Sequence, residues 1–293
     1  MTAREGIQLR FMGDILFAHP RHNYQSYSDY KRLIDLAGYK TCFLDDIDPQ
    51  SDHCYIFSTP GIEWRGGWKG AKATIIYWDM EHYIDVTYHD VPGLAAVWCS
   101  DARYAQRVGG RHVMMGSDAR LCGYEAFSGA IGTTGSVGGQ SHWMTEKPQR
   151  THEFDVTFLA YMSDRRLTIA GQLSEMGVSM TPHSAETSSE RHKLLQSASA
   201  MVYAHHRDEY HAIAPQRFAF AAAYQLPVLS ETLPDKTPFG FSHLMQSDYT
   251  HLAKCVQRWT RPEARHILDD FGRALHQFLC VEHPFKRCVE SAV

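Results

Sequence analysis

The sequence has no apolar run long enough to cross a bilayer. Its longest charge-free stretch, residues 126–145, is dominated by glycine, serine and threonine, whereas a spanning helix needs about 20 mostly apolar residues. No membrane partner is therefore expected. The N-terminal stretch carries Arg4, Glu5 and Arg10 and has no apolar signal core, so a cytoplasmic location is expected. The seven cysteines are odd in number, dispersed and never spaced CxxC. That favours reduced thiols over a zinc site or a disulfide framework. Excess positive charge is also lacking: the net charge is −4. This argues against a sequence-blind nucleic-acid binder but leaves a local basic groove open. GxGxxG, GxxxxGK[ST], GxSxG and HExxH are all absent. Dinucleotide, P-loop, nucleophile-elbow and zincin chemistries lose their usual signatures with them.

What is present is ordinary for a folded protein. The chain has 293 residues, 44% hydrophobic and 12% aromatic. It can bury a core, and its length fits about two domains. Eighteen histidines make its charge sensitive to mild acid. Strand-like runs at 8–14, 40–44, 54–58, 73–78, 94–99 and 113–115, with a helix at 30–39, suggest a parallel sheet covered by helices. Residues 128–140 hold five glycines among small polar residues and read as a linker or mobile loop. A second alternation follows. Strands are expected at 155–161, 178–181, 200–204 and 227–230, and helices from the 163–166 turn to Met176, from a capping box at Thr187 and Glu190, and from Pro215 to Tyr224. A second capping box is expected at Thr260 and Glu263. A long C-terminal helix then shows one face through Ile267, Phe271, Leu275 and Phe278. The expectation is two α/β halves, 1–145 and 146–293, with a cleft where the carboxyl ends of the strands meet.

Candidate residues follow from that geometry. Arg217 falls in the first turn of the Pro215 helix, where free N–H groups and the positive dipole end favour an anion; the alternative is a surface arginine paired with an acid. Arg165 and Arg166 follow the first strand of the second half and suit a phosphate or a solvated turn. His183 suits a base, a phosphate or a plain loop. Asp79 and Glu81 end the 73–78 strand on one side of it. Glu81 is the first choice for a catalytic base, with Asp79, His82 and Asp14 as competitors; the alternative is an anchor for a helix N-terminus. Gly13 permits close backbone approach or is simply a tight turn. Trp64 and Trp68, in an aromatic and basic segment, suit stacking of bases or sugars, or a loop pinned to the core. Asp46 and Asp48 form a DxD triplet that suits a metal or, more simply, an acidic turn. His205, His206 and His211, with Asp208 and Glu209, suit a metal or a polar loop.

The second half also resembles GT-B glycosyltransferases, most closely the compact spore-maturation-type group that also occurs in phages. The likeness lies in residues 154–160, Arg165–Arg166, 194–203, 214–218, 221–223 and 227–231. In the first half it lies, more thinly, in 78–81 and 116–118. The resemblance implies two Rossmann-like domains facing a cleft. It implies a nucleotide-sugar donor, uridine-linked, as co-substrate, with no cofactor and no essential metal. Tyr203, Pro215, Arg217, Phe218 and Glu231 then belong to the donor side. The acceptor expectation is a 5-hydroxymethylated pyrimidine in double-stranded DNA, with a cell-surface glycan as competitor. Phe220 stands where the group has a glutamate, and Gln225 lies where a glycine is expected. A non-catalytic binding protein is therefore the alternative.

Overall fold

The computed structural model describes residues 12–19, 28–58, 68–80, 91–122, 150–182, 188–206, 214–233 and 243–293. Every ladder in it is parallel. The first sheet contains β1 (Ile15–His19), β2 (Lys40–Phe43), β3 (Cys54–Phe57), β4 (Thr74–Asp79), β5 (Ala96–Cys99) and β6 (Arg111–His112), in the order β2-β1-β3-β4-β5-β6. Strands β3 and β4 read CYIF and TIIYWD and are buried almost throughout. Such unbroken apolar runs are what a central parallel strand, covered on both faces, requires. On one face Phe17, Ile56, Ile76, Trp78 and Trp98 pack under α1 (Ser28–Leu36), which contributes Tyr30, Leu33 and Ile34. On the other face lie Tyr55, Phe57, Ile75 and Tyr77, with Leu44 and Ile47. Helix α2 (Ala102–Val108) joins β5 to β6 and is capped by the Asp101 carboxylate, which accepts from the Arg103 and Tyr104 amides.

The second sheet holds β7 (Phe154–Thr157), β8 (Ala198–Tyr203), β9 (Val228–Glu231) and β10 (Met245–Ser247) side by side in sequence order. Helices α3 (Asp164–Glu175) and α6 (Tyr249–Trp259) cover one face. The other face is covered by α4 (Ser188–Ser197) and α5 (Pro215–Ala223). Helix α7 (Arg265–His276) adds Leu268 to the first of these cores and Leu275 to the second. Among the described residues, no helix is long and apolar enough to cross a membrane.

Several sequence expectations shift. The first strand is Ile15–His19 rather than 8–14, of which residues 8–11 lie outside the described residues. Gly13 and Asp14 consequently precede the strand. The expected strand at 178–181 is a single bridge between Met180 and Val156, and that at 113–115 is replaced by Arg111–His112. The Thr260–Glu263 box does not form, because the Thr260 hydroxyl donates back to Val256 O at 2.9 Å and closes α6. Nor is the C-terminal helix continuous. Helix α7 widens into a π-turn at Gln277–Glu282, and Pro284, which lacks an N–H, breaks it. A final helix, α8 (Phe285–Glu290), then docks on the first sheet, where Phe285 stacks on Trp78 at 6.0 Å and 11°.

Candidate functional site

The carboxyl edge of the second sheet gathers three guanidinium groups. Arg165, in the first turn of α3, grips Glu231 at the end of β9 through a two-bonded fork of 2.8 and 2.9 Å. Its guanidinium lies 3.8 Å above the Tyr249 ring, and the Tyr249 hydroxyl donates to Arg165 O at 3.0 Å. Glu231 also accepts the His205 amide at 2.9 Å. Burial opposes ionisation of Glu231, but the Arg165 fork and the His205 amide outweigh it and hold the carboxyl below its ordinary range.

Arg166 is 3% exposed. Its Nε donates to Ala204 O at 2.8 Å and its Nη1 to Tyr161 O at 2.7 Å, so it ties the end of β8 to the β7–α3 loop. Burial, then repulsion from Arg217, lowers its pKa to about 10, which still leaves it charged at neutral pH. Arg217 occupies the first turn of α5, 6.0 Å from the Tyr203 ring. It makes no ion pair or side-chain hydrogen bond among the described residues. The N-cap of α5 is Ala214, which offers no side-chain oxygen, and Pro215 is the first helical residue. Pro215 has no N–H and the Arg217 amide donates to Ala214 O at 3.1 Å, so the Gln216 amide is the first-turn donor left without a partner among the described residues. Three cations against one carboxylate, beside an uncapped helix start, give this edge an excess of positive charge, which suits an anion.

The same helix start meets the first sheet. Gln216 Nε2 lies 3.6 Å from Met80 Sδ, immediately beyond β4, and Ser117 Oγ donates to Ala219 O at 2.6 Å. The carboxyl edges of both sheets thus converge on the first turns of α5. A second concavity sits between β1 and β3, lined by Phe17, His19, Tyr30, Lys31 and Ser58. It lies at the point where the connections run outward in opposite directions, which is where open parallel sheets bind ligands.

The expected site residues divide accordingly. Arg165, Arg166, Tyr203, Pro215, Arg217, Phe218 and Glu231 come together. Within that group Phe218 is fully buried against Tyr203 at 4.9 Å, and the Tyr203 hydroxyl accepts the Ala214 amide at 3.1 Å. These two form the buried wall behind the start of α5. Arg166 is likewise committed to carbonyls. Asp79 does stand at the carboxyl end of β4, but it is 2% exposed and accepts the Tyr104 hydroxyl of α2. That contact anchors α2 to the end of β4. Gly13 and Asp14 lie at the opposite, amino edge. The Gly13 amide binds Asp52 O, and Asp14 pairs with Lys40 at 2.5 Å. Their place in a cleft is overturned by the shift of β1. Trp68 rests on Phe57 at 5.5 Å, with its amide bound to Pro92 O, as a loop pinned to the core. Asp48 accepts the Gln50 amide at 2.9 Å in an acidic turn. Glu81, His82, Trp64, His183, Asp208, Glu209 and His211 lie outside the described residues. Phe220 is in the apolar core. Tyr249 belongs to the site but gave no signal in the sequence, since its helix was not expected.

Removing Arg165 should expose the strength of the fork. In Arg165→Met the Glu231 carboxylate stays largely buried with one amide partner, and breaking such a pair costs about 3 kcal/mol. Glu231 ionises more readily folded than unfolded. Its stabilisation is therefore complete above its ordinary value near 4.5 and fades as pH falls through the lowered folded value. Denaturant melts between pH 3 and 7 should show a steep acid limb in the wild type and a flatter one in Arg165→Met. Equal acid limbs would argue against the pair.

No family model matches this chain, and no curated protein does. Among solved structures, TarM overlays 85% of this chain at a TM-score of 0.48 and 8% identity. The chain spans 55% of TarM. A C-terminal fragment of E. coli RcsC, containing a linker region and a phosphoreceiver domain, covers 88% of this chain and is itself covered over 87% of its length, at 12% identity and a TM-score of 0.20. Overlays this loose assign neither a family nor an activity. The architecture itself is mixed α/β, with two wholly parallel sheets.

Proposed function

We propose that this chain is a glycosyltransferase that uses a nucleotide sugar, with the diphosphate held at the carboxyl edge of the second sheet. The observation that carries this is the Arg217 guanidinium, with no ion-pair partner among the described residues, beside the uncapped start of α5. A dianion there is met by the Arg217 guanidinium, by the Gln216 amide and the positive end of the helix, and by the nearby charge of Arg166. The likeness of residues 154–231 to GT-B enzymes supports sugar transfer rather than another use of a diphosphate.

In this scheme the chain divides near residue 145 into an acceptor side and a donor side. The donor is uridine-linked and no metal is required, because the arginines neutralise the leaving diphosphate. Glu81, next in sequence to Met80, serves as base for an inverting transfer. The acceptor approaches from the first sheet, where the β1–β3 crevice opens. A 5-hydroxymethylated pyrimidine in duplex DNA is the first acceptor to try, although Trp68 no longer supports it.

The test is nucleoside-diphosphate release from a panel of nucleotide sugars, each with 5-hydroxymethylcytosine DNA, with unmodified DNA and alone. Release that depends on the hydroxymethyl group is the expected result. Slow hydrolysis without DNA dependence would keep the enzyme class and redirect the acceptor to glycans. No turnover of any donor would leave a binding protein.

A further inference from the structure

The β7–α3 loop carries a side chain that the arginine site does not explain. Tyr161 is 76% exposed, whereas its neighbours Phe158 and Leu159 are buried. A lone exposed tyrosine needs no explanation, but this one is held in place. Its carbonyl accepts Arg166 Nη1 at 2.7 Å, from a guanidinium that is itself 3% exposed. Its ring stands 5.8 Å from the His206 ring at 67°, and His206 follows the end of β8. Two aromatic rings from adjacent strand ends thus form a corner on the edge that carries Arg165, Arg166 and Arg217. The buried arginine that fixes the tyrosine backbone is also close enough to Arg217 to feel its charge.

We infer that Tyr161, with His206 beside it, is the platform on which the base of the bound nucleotide stacks. The inference rests on the nucleotide reading of the Arg217 site and adds the base subsite to it. Its chemistry is that of a π-face next to fixed cations, which suits a ligand that is aromatic at one end and dianionic at the other. Stacking on an aromatic ring tolerates any base. The platform therefore contributes affinity, and the choice among bases must come from hydrogen bonds elsewhere.

Calorimetric titration separates the two layers of the argument. UDP, ADP, GDP and inorganic pyrophosphate are each titrated into the wild type, Tyr161→Ala, Tyr161→Phe and Arg217→Gln. Tyr161→Ala should bind nucleoside diphosphates about tenfold more weakly and pyrophosphate as the wild type does. Tyr161→Phe should behave as the wild type, and an exposed ring should leave the melting temperature unchanged. Arg217→Gln should weaken all four ligands. If Tyr161→Ala binds nucleotides normally, or loses pyrophosphate equally, the platform is wrong while the Arg217 effect keeps the nucleotide site. If the wild type binds none of the four, both ideas fall together.

Discussion

Replacing Arg217 with glutamine is expected to slow nucleoside-diphosphate release about 100-fold at sub-saturating donor, with no change in melting temperature. A factor of 100 is about 2.7 kcal/mol. That lies within the range of about 1.5–3 kcal/mol for hydrogen bonds to a charged group. Folding should be indifferent, because Arg217 has no ion-pair partner among the described residues, and its removal leaves no described acid uncompensated. A helix start also gains slightly when a first-turn cation is removed. Arg217→Lys should recover only part of the rate, since an ammonium keeps the charge and loses the planar fork. Arg166 makes the useful contrast. Its guanidinium joins Ala204 O to Tyr161 O inside the protein, so its loss should lower stability and turnover together. Steady-state kinetics with thermal melts on the three variants check this. An Arg217→Gln protein with wild-type turnover would falsify the diphosphate site.

The sequence exposed those parts of the fold whose signal is local. Strands β3 and β4 are legible because central parallel strands are apolar on both faces, and α5 because Pro215 marks its first position. Arg165 and Arg217 were legible for the same reason, as each lies in the first turn of a helix after a strand. What each arginine does was not. Arg165 and Arg166 are adjacent, yet one faces Glu231 and the other turns inward to backbone carbonyls, a choice made by tertiary packing. Helix α6 escaped because its buried positions are few, Leu252, Ala253 and Val256, and are interleaved with polar residues. Asp248, which accepts the His251 amide, caps it without a capping-box partner. The resemblance led to the expectation of glycine near Gln225, and the backbone agrees, for Gln225 adopts φ 51°. Here a glutamine holds the conformation that glycine favours, at a cost of about 1 kcal/mol. Neither β1 nor the break before α8 was visible. The first depends on which of two neighbouring apolar runs joins the sheet, and the second on a contact across most of the chain.

That contact is where the second large effect is expected. Gly116→Ala should lower stability by about 3 kcal/mol, or about 5 °C in a chain of this length. A Cβ at Gly116 would overlap the carbonyl oxygen of His283 and come within 2.8 Å of the Phe285 amide. Both are backbone, so no side chain can rotate aside. Its neighbour Ser117 leaves no room to retreat. Its amide donates to Leu279 O at 2.9 Å, its carbonyl accepts the Phe285 amide at 2.9 Å, and its hydroxyl holds Ala219 O of α5. Yielding instead at the C-terminal strap, residues 283–293, would pull Phe285 and Val289 from the core of the first sheet, along with the bonds from Arg111 to Ser291 O and Ala292 O. Burial of Phe285 alone is worth about 1.5–3 kcal/mol. Either response is expensive, and both loosen α5, the helix that presents Arg217. Donor turnover should therefore fall with stability, unlike in Arg217→Gln. Gly171→Ala is the control, since a Cβ there meets nothing within 4 Å inside α3 and alanine is the better helix former. Thermal melts and limited proteolysis of the C-terminal strap should separate the pair, with the strap cleaved early only in Gly116→Ala. If the two alanine variants melt together, the strap does not bear on α5 and the coupling between the sheets must run through other contacts.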